Sequence, residues 1–167
     1  MAALDFNGMF QAFSDSNEKE WKYDRNASVG ASEAFACLRK VHFKKFQYDP
    51  DDDHEQDWGA AKRGDIIENF FAVPATKAIM PEGSELMYAG DEQETLRKGR
   101  LSATPDGLMI DLEADALSQL GIDDILSDSV VIEYKSFDPR ATIKEAKEIH
   151  AGQVQVQMGL ILSLIHI

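Results

Sequence analysis

Two carboxylates and an amine are the residues most able to do chemistry here. Asp106 sits in Thr104-Pro105-Asp106-Gly107, and Glu133 and Lys135 in Val131-Ile132-Glu133-Tyr134-Lys135. The first motif reads as a turn, the second as a strand. Residues two apart on a strand share a face, so Glu133 and Lys135 point together and Tyr134 points away. Passing from Val-Val-Ile into Glu-x-Lys takes charge into an apolar setting, which is costly unless a cavity, partner or cation receives it. If Ile110 and Val131 lie on neighbouring strands, Asp106 comes close to Glu133. Carboxylates converging beside an amine are the parts that hold Mg²⁺ and hydrolyse a phosphodiester. Each motif alone also has a plain reading: a solvated strand end, and a hairpin turn built on Pro105 and Gly107.

Further polar residues recur in suggestive places. If residues 57–72 form a helix, Ala60, Ala61, Gly64, Ile67, Glu68 and Phe71 share one arc, which puts Glu68 in a small apolar stripe. A carboxylate in such a stripe calls for a metal or a cation unless it reaches water at the edge. His150, Gln153 and Gln157 form one polar stripe on a helix, with Gln155 elsewhere. Amides so placed could hold a water or a phosphate oxygen; a plain polar helix face is the alternative. His42, His54 and His150 have no second ligand at metal spacing, and Cys37 has no Cys-x-x-Cys partner. Phosphate loops, dinucleotide-binding glycine fingerprints and nucleophile elbows are absent.

The elements that must position these residues follow from periodicity. Phe6, Phe10 and Phe13 fit a helical face in the mixed segment 1–24. Ser32 is a candidate N-cap, followed by Phe35, Leu38, His42 and Phe46 at helical spacing. A second helix is predicted over 57–72, ending before Pro74. Short alternating runs parted by Gly90, Gly99 and Gly107 predict an antiparallel meander over 85–112. A helical or loop insertion over 113–128, a buried strand over 130–135 and one or two helices over 142–161 complete the pattern. Helices, strands and helices in that order predict an α/β domain with a central mixed sheet flanked by helices.

Composition bounds the function. At 167 residues the chain suits one domain with a real core. No apolar run approaches the roughly 18 residues of a membrane span, and no signal peptide opens the chain. Cys37, the single cysteine, excludes an intrachain disulfide and reads first as a small buried hydrophobe in a reducing compartment. The net charge of −13 opposes nucleic-acid binding, yet the acid gathers at 49–57 and 111–128, in apparent surface loops.

The order Glu68, Pro105-Asp106, Glu133-Tyr134-Lys135, Gln153 resembles the PD-(D/E)XK nuclease superfamily. Within it the chain looks most like the phage lambda exonuclease and YqaJ-type viral recombinase family. The matching text is Gly64-Asp-Ile-Ile-Glu68, Thr104-Pro-Asp-Gly-Leu108, Ile132-Glu-Tyr-Lys135 and Ala151-Gly-Gln-Val-Gln155, with Arg25 seven residues before Ser32. The resemblance spans residues 25–161 and implies a restriction-endonuclease-like fold. It implies a Mg²⁺-dependent exonuclease for double-stranded DNA ends, with Mn²⁺ a substitute. Asp106, Glu133 and the main-chain carbonyl of Tyr134 would ligate metal, Lys135 would activate water, and Glu68 and Gln153 would complete the network. Arg25, Ser32 and Thr104 would hold the phosphate of the DNA end. The family further implies a homo-oligomeric ring, a single-strand annealing protein as partner and a cytoplasmic place in a bacterial or phage-infected cell.

This chain departs from the family's pattern in places. The gap from Asp106 to Glu133 is long, and Gln157 stands where many relatives carry tyrosine. Cys37 resembles the first cysteine of CRISPR-associated and RecB-like nucleases, so a 4Fe-4S enzyme is a second reading. A nuclease fold kept only as a DNA-binding module is a third. Residues 162–167, Leu-Ser-Leu-Ile-His-Ile, spell the translation of a sequencing-adapter end. They are expected to be a non-native tail on a C-terminally truncated domain.

Overall fold

The computed structural model describes residues 5–17, 23–49, 51, 58–119, 127–137 and 140–165. The chain is mixed α/β, with two small three-stranded sheets and several helices. In the first sheet, β1 (Val29–Gly30) runs parallel to β4 (Leu101–Ala103), which pairs antiparallel with β3 (Leu96–Lys98). Lys98 faces Leu101 across a two-residue loop that opens on Gly99, at φ +59°, a conformation glycine takes without steric cost. In the second sheet, β5 (Gly107–Ile110) lies between β2 (Glu85–Met87) and β6 (Val130–Ile132), antiparallel to both.

Strand alternation sorts the core onto the two faces of the second sheet. Leu108, Ile110, Val131 and Met87 join Leu160 and Ile161 of α7 (Glu148–Ile165). Met109, Leu86, Val130 and Ile132 join Val73 of α5 (Val73–Ile79) and Leu117 of α6 (Ala114–Gln119). Each fully buried Leu or Ile contributes about 1.5–3 kcal/mol, so α7 is the principal clamp on that face. The first sheet reaches the same cluster through Leu96 and Ala103, so α7 ties the two sheets together.

Several expectations are corrected. The run of helical spacing from Ser32 is not one helix. It divides into α2 (Ala31–Ala34) and α3 (Leu38–Lys45), and Phe35, Leu38 and Phe46 are exposed. Gly30, not Ser32, occupies the N-cap; the Glu33 carboxylate accepts its N–H at 2.9 Å, leaving Ser32 inside the helix. The chain does not stop before Pro74. Helix α4 (Trp58–Ile67) widens into a π turn (Glu68–Ala72), with Val73 N–H bonded to the Glu68 carbonyl, and α5 begins with Pro74 in its first turn.

The expected meander is split between two sheets, because β4 leaves the first and β5 enters the second. Strand β6 ends at Ile132 and is only half-buried, so Glu133 to Lys135 lie beyond it rather than in a buried strand. Helix α1 (Phe6–Ser16) forms as expected, but Phe6, Phe10 and Phe13 are exposed. Cys37 is exposed rather than buried. Residues 52–57, with His54, and 120–126 lie outside the described residues.

Candidate functional site

Thr104-Pro105-Asp106 is not a hairpin turn. It is the link by which the chain passes from β4 in the first sheet to β5 in the second. Pro105 is fully buried there. Gly107 faces Ile132, and a Cβ on it would lie 3.1 Å from the Leu86 side chain, so this crossing favours glycine. Beyond the end of β6, the Tyr134 N–H donates to Asp106 Oδ2 at 2.7 Å. A side-chain carboxylate thus takes over where the strand ladder stops, and this fixes Asp106 against the Glu-x-Lys segment.

The alternation of β6 continues into that segment and decides what each side chain meets. Glu133 follows Val131 toward α7. Its Oε1 accepts from Gln153 Nε2 at 2.7 Å, and its Oε2 from Gln157 Nε2 at 2.6 Å. The Lys135 ammonium also donates to Glu133 Oε1. Tyr134 turns toward α5, where its hydroxyl pairs with Thr76 Oγ1 at 2.6 Å. Gln153 and Gln157, one helical turn apart, therefore act as two donors to one buried carboxylate. Gln157 is fully buried, and its Oε1 has no hydrogen-bond partner among the described residues.

Glu68 opens the π turn and approaches from the other side. It accepts from Gln93 Nε2 at 2.7 Å through Oε1. With Asp106, Tyr134, Lys135, Asp65 and Ser136 it lines a cleft of about 400 Å³. Burial pushes the Asp106 carboxyl up to about 7, and the charges of Glu133 and Glu68 push the same way. The Tyr134 N–H and Lys135 oppose the shift without cancelling it. The expected apolar stripe around Glu68 is not buried, since Ile67 and Phe71 face solvent. Glu68 itself is half-buried.

A second, smaller cavity of about 140 Å³ adjoins the first through shared elements. Arg25, Ser32, Thr104 and Gln153 all line it, together with Glu33 and Lys45. Arg25 opens a short 3₁₀ turn (Arg25–Ala27) whose first carbonyl accepts from Lys45 Nζ at 2.8 Å. Thr104 shares a hydroxyl hydrogen bond of 2.8 Å with Thr95. Burial works against ionisation of Glu33, but Lys45, the Gly30 N–H and Lys44 outweigh it and hold the carboxyl at about 2. Its ion pairs to Lys45 at 2.6 Å and Lys44 at 3.2 Å fasten α2 to α3.

The sequence-predicted residues thus fall into two groups. Glu68, Asp106 and Lys135 line the cleft, with Glu133 acting on Asp106 by its charge, and Arg25, Ser32, Thr104 and Gln153, the last bonded to Glu133, line the smaller cavity. His150 joins neither group; it packs on Phe137. Sequence reasoning placed Gln157 in one polar stripe with Gln153 but did not foresee its bond to Glu133. It also missed Gln93 and Asp65, which have no local signature. Among the described residues no three His, Cys, Asp or Glu side chains are gathered into a ready metal cage. Among them, too, no helix is long and apolar enough to cross a membrane. No protein-family model, curated protein or solved structure matches the chain.

Proposed function

We propose that the chain is a metal-dependent deoxyribonuclease of the PD-(D/E)XK kind, built on a restriction-endonuclease-like core and acting on double-stranded DNA ends. One observation carries this reading. Asp106, Glu68 and the Glu133-to-Lys135 segment come from three separate places in the sequence, yet they converge, and burial together with the charges of Glu133 and Glu68 raises Asp106 to about 7.

The residues fit a hard divalent cation. The donors are carboxylate oxygens, which suit Mg²⁺ or Mn²⁺ rather than zinc. Burying Asp106 near the charges of Glu133 and Glu68 is unfavourable until a cation offsets them. Asp106 and Glu133 would hold the ion, with the Tyr134 carbonyl and Glu68 completing the set. A bound cation would supply neutralisation of the scissile phosphate and of the charge that develops on it. Lys135 would orient the attacking water and take or share its proton. Gln153 and Gln157 fix the orientation of the Glu133 carboxylate. Arg25, Ser32 and Thr104 would receive the phosphate of the DNA end in the adjoining cavity. A ring-shaped homo-oligomer, a single-strand annealing partner and a cytoplasmic setting belong to the same proposal.

Lys135→Ala and Asp106→Asn are each expected to slow Mg²⁺-dependent digestion of linear duplex DNA by at least about a hundredfold. Far-UV circular dichroism checks that the fold is kept. Undiminished cleavage by both variants would refute the site. Duplex binding by the wild type without cleavage in Mg²⁺ or Mn²⁺ would instead select a non-catalytic module.

A further inference from the structure

The net charge of −13 is not evenly spread. Residues 35–48 carry four of the seventeen Lys and Arg residues and no acid, interleaved with Phe35, Phe43, Phe46 and Tyr48. Helix α3 presents this stretch at the surface, with Arg39, Lys40, Phe43, Phe46 and Tyr48 all exposed.

The rings are arranged by a specific helix end. Tyr48 N–H bonds to the Phe43 carbonyl at 3.1 Å and Gln47 N–H to the Lys44 carbonyl at 3.2 Å. Those two bonds, with Gln47 at φ +54°, make a Schellman cap, in which the residue after the cap packs against the last helical turn. Here that contact is between aromatic rings: Tyr48 meets Phe43 edge to face at 5.1 Å, and His42 meets Phe46 at 4.6 Å. The left-handed region disfavours a residue with a Cβ. The strain at Gln47 is thus accepted at a joint that sets exposed rings side by side. Arg39 lies over Phe43 at 5.5 Å. Arg39, Lys40, Phe43 and Tyr48 line one open groove, which Asp49 and Asp51 also line.

We propose that this groove on α3 binds single-stranded nucleic acid, separately from the cleft that holds Asp106. Cations that track a backbone beside rings on which bases stack are what a single strand requires. Arg39 and Lys40 receive phosphates, and Phe43 and Tyr48 receive base faces. Asp49 and Asp51 argue against a duplex, which presents phosphates on both sides and hides its base faces. A single strand can instead turn base amino groups toward such carboxylates. An acidic peptide would use the cations but has no need of the rings.

The test is fluorescence anisotropy of labelled oligo-dC, oligo-C and a duplex, in EDTA, where cleavage cannot interfere. The outcome is therefore independent of whether the nuclease reading stands. Wild type is expected to bind the single strands more tightly than the duplex. Tyr48→Leu is expected to weaken this about tenfold or more, whereas Tyr48→Phe keeps it. Arg39→Ser with Lys40→Ser is expected to lower the slope of log affinity against log salt by about 1.4. Photocrosslinking of a 5-iododeoxyuridine oligonucleotide to the unaltered protein, mapped by mass spectrometry, is expected to mark residues 38–48. Equal binding of duplex, equal binding of poly-glutamate, full affinity in Tyr48→Leu, or an adduct elsewhere would each overturn the proposal.

Discussion

Asp106 is the residue on which most depends. Its carboxyl is held at about 7 against an ordinary value of 3.8. Between those values the folded chain keeps a proton that the unfolded chain has lost. Stability from this group is therefore full below the unfolded value and is lost as pH rises through about 7. Glu33 works in the opposite sense, since its carboxyl is held at about 2: its contribution is present above 4.5 and lost as pH falls through 2. In EDTA, Asp106→Asn is expected to flatten the decline in Tm between about pH 4 and pH 8 while leaving the acid limb unchanged. Thermal melts across that range check it; an unaltered neutral limb would show that Asp106 is not held in its proton-bound form. Glu133, by contrast, has its charge met by Gln153, Gln157 and Lys135.

Among the elements, α7 decides whether the site exists. It supplies Gln153 and Gln157 to Glu133 and carries Leu160 and Ile161 into the core. It also packs on α2, where the Phe35 ring lies on Gly152: a Cβ at 152 would fall 2.5 Å from Phe35 Cδ2. Gly152→Ala is therefore expected to destabilise the protein by about 1–3 kcal/mol through overpacking. Adding Phe35→Ala is expected to return part of that loss, a coupling measurable by urea denaturation of the single and double variants. Strict additivity would mean that the ring moves aside freely. The π turn matters in a similar way, because it re-aims the chain at Glu68 so that α5 can continue past Pro74 and present Thr76 to Tyr134. Such widened turns recur at functional sites.

For the molecule as a whole, the charge of −13 is offset locally rather than globally. Basic side chains gather on α3, and carboxylates gather around the cleft. If the cleft binds Mg²⁺, the ion stabilises the folded state alone. A hundredfold excess over Kd would add about 2.7 kcal/mol, or several degrees of Tm for a chain this long. The rise is expected to be larger at pH 8 than at pH 6, because protons compete at Asp106, and to vanish in Asp106→Asn. Differential scanning calorimetry with and without EDTA checks this, and an equal rise in Asp106→Asn would place the ion elsewhere.

The sequence by itself determined which residues matter and in what local pattern. Period two made Glu133 and Lys135 neighbours and sent Tyr134 the other way; period 3.6 aligned Gln153 with Gln157. Those are local rules of backbone geometry, so they are readable from spacing alone. Only the tertiary structure decided what the patterns face. Pro105 and Gly107 fit a hairpin turn equally well, and it took two separate sheets to make them a crossing. Phe35, Leu38 and Phe46 recur at helical spacing yet lie at the surface, because burial depends on what packs above a helix face, not on its spacing. Gln93 reaches Glu68 from 25 residues away. Contacts of that kind, including the convergence that raises Asp106, arise from chain topology and have no signature in the residues near them.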